Sequence, residues 1–158
     1  MRPHLNLGVA FQVAGEFDQA VLEYRHALSI RPDLPLVYSN MGTIYLEQSR
    51  LDDAEAMLKR AIELAPSMPQ PYVNLASIAV KHKKADEALS YAAKAEEAGG
   101  VSYWVHFVRA EALELSGHLD AARAEYETSA KLSEGHGPFH EEIQRRLSAV
   151  QTRTNSVN

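Results

Sequence analysis

One interval dominates this chain. Small residues fall at Gly8, Gly42, Ala76 and Ala110, each 34 positions after the last. The same step separates Ala20, Ala54, Ala88 and Ala122, then Ala27, Ala61, Ala95 and Ser129, and also Asp18, Asp52, Asp86 and Asp120. Four columns in one register mean a single supersecondary unit written four times. A unit of that length cannot bury its own apolar face, so each has to pack on its neighbours.

Each column has a physical meaning. A small side chain on a helix face lets a neighbouring helix cross closely. An aspartate ahead of an amphipathic run reads as an N-cap, accepting hydrogen bonds from amides that lack a partner. Between them comes a turn, marked by Gly15, Ser49, Lys83 and Gly117. Pro32 and Pro66 stop the second helix of their units. The unit is helix, tight turn, helix. Spacing predicts helices over 3–14, 18–30, 35–48, 52–64, 69–82, 86–98, 103–116 and 120–133. Gly135-His136-Gly137 then breaks the pattern, and Pro138 suits the first turn of a ninth helix. There Phe139, Ile143, Leu147 and Val150 form one apolar stripe, with Glu141–Arg145 and Glu142–Arg146 as solvent-side pairs. Such a helix would cap the array. The expected division is four repeats over 1–34, 35–68, 69–102 and 103–136, a capping helix over 137–153 and a polar tail over 154–158.

The pattern resembles the tetratricopeptide repeat family. The first unit carries it on Leu7-Gly8, Phe11, Gly15, Ala20, Tyr24, Ala27 and Pro32, the second on Tyr38, Met41-Gly42, Tyr45, Ala54, Ala61 and Pro66. The third and fourth depart from it: Gly100 and Glu134 stand where the family has proline, and Ala92 and Arg109 replace larger or apolar residues. The resemblance implies an all-α fold, a right-handed α-solenoid of four helix-turn-helix repeats plus the capping helix.

Composition narrows function by exclusion. Sixteen basic and 21 acidic residues leave a net charge of −5, without the basic footprint of a nucleic-acid binder. Absence of cysteine removes disulfides, thiolate metal sites and thiol nucleophiles. It suits cytosol and periplasm equally, and the cytoplasm is the expectation. The longest uncharged stretch, Leu64 to Val80, holds Pro66, Pro69 and Pro71, so no membrane insertion is expected. The apolar run Leu5 to Ala14 after Met1-Arg2 is interrupted by Asn6 and Gln12 and recurs in later units, so it reads as a helix rather than a signal peptide. That first helix has no charge over residues 3–15. Three readings stay open for it: further repeats ahead of it in a longer parent, a partner or second copy over Leu5, Ala10 and Val13, or a face small enough to stand in water.

No phosphate loop, nucleophile elbow or paired metal-binding histidine motif is present, so no catalytic residue, cofactor site or metal site is expected. His136 and His140 are split by the Gly137-Pro138 break, and His4 and His106 hold the packing place of Tyr38 and Tyr72. By resemblance to the family, the first helix of each pair lines a concave peptide-binding face. The residues this places there include Asn6, Val9, Asn40, Thr43, Val73, Asn74, Ser77, Trp104, Phe107 and Glu111. Asn6, Asn40 and Asn74 form a ladder able to hold an extended backbone, since a carboxamide both donates and accepts. The alternative is that they only face water. Each such bond is worth about 0.5–1.5 kcal/mol, whereas association costs about 4–15 kcal/mol. Apolar anchoring by Val9, Val73, Phe107 and Trp104 must therefore supply the rest. Chaperone-tail-binding relatives clamp a carboxylate with Lys and Asn; here Leu5, Val9, Gln70 and Asn74 hold most of those places and only Asn40 matches. The expectation is a non-enzymatic scaffold for a protein or peptide partner, with micromolar binding that responds little to salt. The alternatives are a self-associating assembly protein, a homo-oligomer through the first helix, or a segment docking substrates for a larger enzyme such as a glycosyltransferase.

Overall fold

The computed structural model describes residues 2–134 and 137–155, and every regular element among them is a helix. In chain order these are α1 (Arg2–Val13), α2 (Phe17–Ile30), α3 (Pro35–Glu47), α4 (Leu51–Leu64), α5 (Pro69–Lys81), α6 (Ala85–Glu97), α7 (Tyr103–Leu115), α8 (Leu119–Leu132) and α9 (Gly137–Asn155). None is long and apolar enough to cross a membrane. Gly135 and His136, in the break expected before the last helix, and residues 156–158 of the expected tail lie outside the described residues. Contacts divide the chain into two units, residues 1–74 and 75–158.

The turn inside each repeat is set by one left-handed residue. Gly15, Ser49, Lys83 and Gly117 have φ of +76°, +60°, +58° and +80°. Around each, two backbone bonds close the helix end in the Schellman pattern. In the first repeat Gly15 N–H donates to the Gln12 carbonyl at 3.0 Å and Glu16 N–H to the Phe11 carbonyl at 2.9 Å. The same pair recurs at Ser49 and Arg50, at Lys83 and Lys84, and at Gly117 and His118. Gly99 and Gly100 repeat it at the end of α6, where proline is missing.

This closure corrects the expected role of the aspartates. The residues before α2, α4, α6 and α8 are Glu16, Arg50, Lys84 and His118, and none makes a side-chain capping bond. Each helix starts one residue earlier than predicted, which puts Asp18, Asp52, Asp86 and Asp120 inside the first turn. The residue that ends one helix already leads the next, so only its carbonyl is offered; in the first repeat Ala20 N–H donates to the Glu16 carbonyl at 3.0 Å. The aspartates act as charges at the positive helix end, not as caps.

In the first unit the small-residue column is a matter of clearance. A Cβ on Gly8 would stand 2.5 Å from Tyr24 Cε1, and one on Gly42 would stand 2.7 Å from Leu58. Positions 24 and 58 are one repeat apart, so each glycine faces the same place in its hairpin. In the second unit Ala76, Ala92, Ala110 and Ala122 are fully buried. Phe107, Tyr126, Ile143, Leu147 and Val150 share one core cluster, with Tyr103 and Phe139 packed against it. Ser129 fits the otherwise alanine column because its hydroxyl donates to the Tyr103 carbonyl at 2.8 Å.

The apolar stripe of α9 therefore lies in that core. On its charged side the expected Glu142–Arg146 pair forms at 3.3 Å, but Arg145 pairs with Glu142 and Arg146 also reaches Glu111 at 3.1 Å. The helix runs to Asn155 rather than 153, with Thr154 buried and its hydroxyl donating to the Val150 carbonyl.

Two stability outcomes follow from this geometry. Ser49→Gly and Lys83→Gly each relieve a side chain held in the left-handed region, a conformation that costs about 1–2 kcal/mol, and urea titration should show a gain of roughly 0.5–1 kcal/mol each. Gly8→Ala should be destabilising. Overpacking against the Tyr24 ring costs about 1–3 kcal/mol, which outweighs roughly 1 kcal/mol of helix propensity. A higher melting temperature for Gly8→Ala would contradict the close crossing.

Candidate functional site

The ten residues expected on the binding face divide between the two units. In the first, α1 presents Asn6 in the open and Val9 at 38% exposure, with Val13 beyond it at 85%. Asn40 and Thr43 on α3 are half-buried. Val73 and Asn74, at the start of α5, are 4% and 7% exposed.

The asparagine ladder is not uniform in its bonding. Asn40 Nδ2 donates to the Tyr24 hydroxyl at 3.0 Å, and that hydroxyl donates on to Gln12 Oε1 at 2.8 Å. One chain of bonds thus joins α1, α2 and α3. Burial pushes the Tyr24 phenol up from its ordinary pKa, opposed by the Asn40 hydrogen bond. The ring stays neutral and able to donate. Asn74 Nδ2 donates to Thr43 Oγ1 at 2.8 Å, and its Oδ1 accepts from Gln70 Nε2 at 3.1 Å. Thr43 in turn donates to the Ser39 carbonyl at 3.1 Å. Asn40 and Asn74 therefore tie helices together, while Asn6 faces solvent.

In the second unit Ser77 and Glu111 are half-buried, Trp104 is 38% exposed and Phe107 only 8%. Phe107 is a core residue, touching the Tyr126 and Phe139 rings at centroid distances of 5.8 and 5.2 Å. Trp104 stacks on Phe139 at 3.7 Å between ring centroids. The first turn of α9 thus covers part of the indole and leaves an edge open.

The same unit holds a cleft of about 390 Å³, lined by Val80, Glu111, Glu114, Leu115, Arg146 and Arg153. Arg146 Nη2 donates to Glu111 at 3.1 Å, Arg153 donates to Glu114, and Glu114 also accepts from the Tyr126 hydroxyl at 3.2 Å. Burial pushes the Glu111 carboxyl above its ordinary pKa with help from Glu114, and this outweighs the opposing pull of Arg146 and Lys81. The Tyr126 phenol is also raised, first by burial and then by the two carboxylates.

Reasoning from sequence missed the partners of these groups. Arg146 and Arg153 sit seven residues apart, two helical turns along one side of α9, and that spacing was the available signal. His4 Nδ1 contacts Glu23 Oε2 at 2.6 Å and His106 Nδ1 contacts Glu125 Oε2 at 2.7 Å. Both pairs are 19 residues apart, so the recurrence of Glu23 at Glu125 was legible too.

The comparisons with known proteins bear on this arrangement. Three family models described as "Tetratricopeptide repeat" match, over residues 1–67, 39–103 and 103–128. No curated protein shows significant sequence similarity. Among solved structures, the thermophilic TPR protein TTC0263 of Thermus thermophilus is 21% identical with a TM-score of 0.81, over 97% of this chain and 82% of that one. YrrB, a TPR protein with an unusual peptide-binding site, is 19% identical with a TM-score of 0.71, over 97% and 77%. The first TPR domain of Spaghetti (RPAP3), bound to the HSP90 peptide SRMEEVD, is 21% identical with a TM-score of 0.67, over 77% and 93%. At these identities the likeness fixes the fold, an all-α solenoid.

Glu111 supplies a pH signature. Because its folded pKa is raised, the native chain holds this proton more tightly than the unfolded chain. The resulting stabilisation is complete below the ordinary glutamate value, about 4.3, and is lost as pH rises through the folded value. Glu111→Gln should flatten stability against pH in the window just above the ordinary glutamate value, measured by urea unfolding at a series of pH values. An unchanged slope there would contradict the assignment.

Proposed function

Because the chain belongs to the tetratricopeptide repeat family, we propose that it is a non-enzymatic interaction module that binds a peptide segment of a partner protein. The observation that carries this reading is the character of the open side chains on the first helices of the repeats. In the first unit Asn6 and Val9 on α1 set a carboxamide beside apolar surface, and in the second unit Trp104 on α7 is 38% exposed, each at a place the family uses for ligands. Two structural relatives are named for peptide binding, which supports the same class of ligand.

The bonding in each unit refines the expected ligand. Val73 and Phe107 are committed to packing, so apolar anchoring falls to Val9 in the first unit and to Trp104 in the second. Asn74 is committed to Thr43 and Gln70, whereas Asn40 donates once to Tyr24, and a carboxamide has a second N–H and a carbonyl besides. A segment read through its backbone, with one or two apolar side chains, suits that surface. An acidic chain terminus suits it less, since Leu5, Val9, Gln70 and Asn74 hold the places of a carboxylate clamp. The acidic groups of α7 are already met by Arg146 and Arg153, so salt should have little effect on affinity.

Trp104 is the only tryptophan, so its emission reports binding directly. A displayed peptide library selected on the full chain should yield micromolar ligands that shift this emission. Trp104→Ala should weaken the best of them by at least about 30-fold, the scale of a hot-spot aromatic. Asn6→Ala combined with Val9→Ser should weaken ligands of the first unit by about tenfold, two hydrogen-bond-scale contacts. Asn6 and Val9 are exposed; because the Trp104 indole packs on Phe139, circular dichroism has to show that Trp104→Ala keeps its helices before its affinity is read. Unaltered affinity in both variants, for every selected ligand, would refute the reading.

A further inference from the structure

The first repeat holds a side-chain cluster that peptide binding does not use. His4 on α1 faces Glu23 and His26 on α2, which are three residues apart and so share a helix face. His4 Nδ1 lies 2.6 Å from Glu23 Oε2, and the His4 and His26 rings meet edge to face at 5.4 Å between centroids. One donor atom from each of the three lies within 4.8 Å of the other two.

The fourth repeat is an internal control. His106 and Glu125 occupy the same two positions and keep the same contact, at 2.7 Å. There Thr128 stands in the place of His26, and the guanidinium of Arg109 reaches the other carboxylate oxygen at 3.4 Å. The second and third repeats carry Arg60 and Lys94 at that place. A histidine–glutamate pair by itself is thus a tie between the two helices of a repeat. The third donor occurs in the first repeat alone.

We propose that His4, Glu23 and His26 form a binding site for a late first-row divalent cation of zinc-like chemistry, clipping α1 to α2. Two imidazoles and a carboxylate suit such ions, whereas magnesium and calcium prefer all-oxygen sets. Bonds of about 2.0–2.1 Å in a tetrahedron place neighbouring donors roughly 3.3 Å apart. The His4–Glu23 contact has to open by less than about 1 Å to admit the ion, and the exposed His26 ring closes by a rotamer adjustment. Glu23 is mostly buried, with 16% side-chain exposure, and provides the fixed donor; His4 at 39% leaves the ion open to solvent. Water completes the shell, as in three-ligand sites. The site departs from the sequence expectation of no metal because its donors lie on two helices, outside any contiguous motif.

The test uses the full chain with cobalt(II) as spectroscopic probe and zinc(II) as competitor. One equivalent of cobalt should give the visible absorption of a low-coordinate ion, displaced by one equivalent of zinc, and zinc should raise the melting temperature. His26→Thr, which installs the fourth repeat's residue at an exposed position, should melt like the parent without metal. Its metal affinity should fall by at least the 10–100-fold typical of losing even an outer-shell partner. His82→Ala, at an exposed histidine outside the cluster, should bind as the parent does. The proposal is overturned by an absence of saturable binding, by parental affinity in His26→Thr, or by equal losses in His26→Thr and His82→Ala.

Discussion

Each repeat reverses direction through a single residue in the left-handed region, and the packing within repeats depends on that reversal. At Gly15, Ser49, Lys83 and Gly117 the same two amides reach back to the same two carbonyls. Because the closure is identical, each hairpin brings the same positions of its two helices together. That is why Gly8 and Gly42 meet side chains 16 residues later, at Tyr24 and Leu58. The columns of small residues are consequences of the turn as much as of the helices.

With backbones alike, the repeats differ in which side chains fill a common frame. Tyr24 and Tyr126 both donate to a residue twelve positions earlier, Gln12 in one case and Glu114 in the other. Leu58 and Ala92, in the corresponding places, have no hydroxyl to donate. The buried phenols stay protonated because burial disfavours their charged forms. The His–Glu tie likewise appears in the first and fourth repeats, where Tyr38 and Tyr72 stand in the middle ones. The proposed cation site is a departure from the average repeat, made where one position carries an unusual residue.

The register of the asparagine column was legible in the sequence, but its bonding was not. The interval placed Asn6, Asn40 and Asn74 at one point of the helix, correctly as a matter of register. Their bonding diverges because a hydrogen bond needs a partner of the right reach on the next helix. Asn40 finds the Tyr24 hydroxyl; the equivalent place before Asn74 is Leu58, which is apolar, so Asn74 turns to Thr43. Phe107 and Trp104 diverge for a similar reason: α9 brings Phe139 against both, burying the one and leaving an edge of the other.

Period, turn chemistry and apolar spacing are local properties, and by themselves they determined the helices, the repeat length and the family. Even the aspartate error was local, a displacement of one residue that changed a cap into a first-turn charge. What only tertiary structure decided were pairings across helices: His4 with Glu23 and His26, Glu111 with Arg146, Asn74 with Thr43. Such pairings depend on crossing geometry and side-chain reach at the scale of an ångström. A one-dimensional repeat constrains those quantities to be similar from unit to unit, but not to be satisfied by the same atoms.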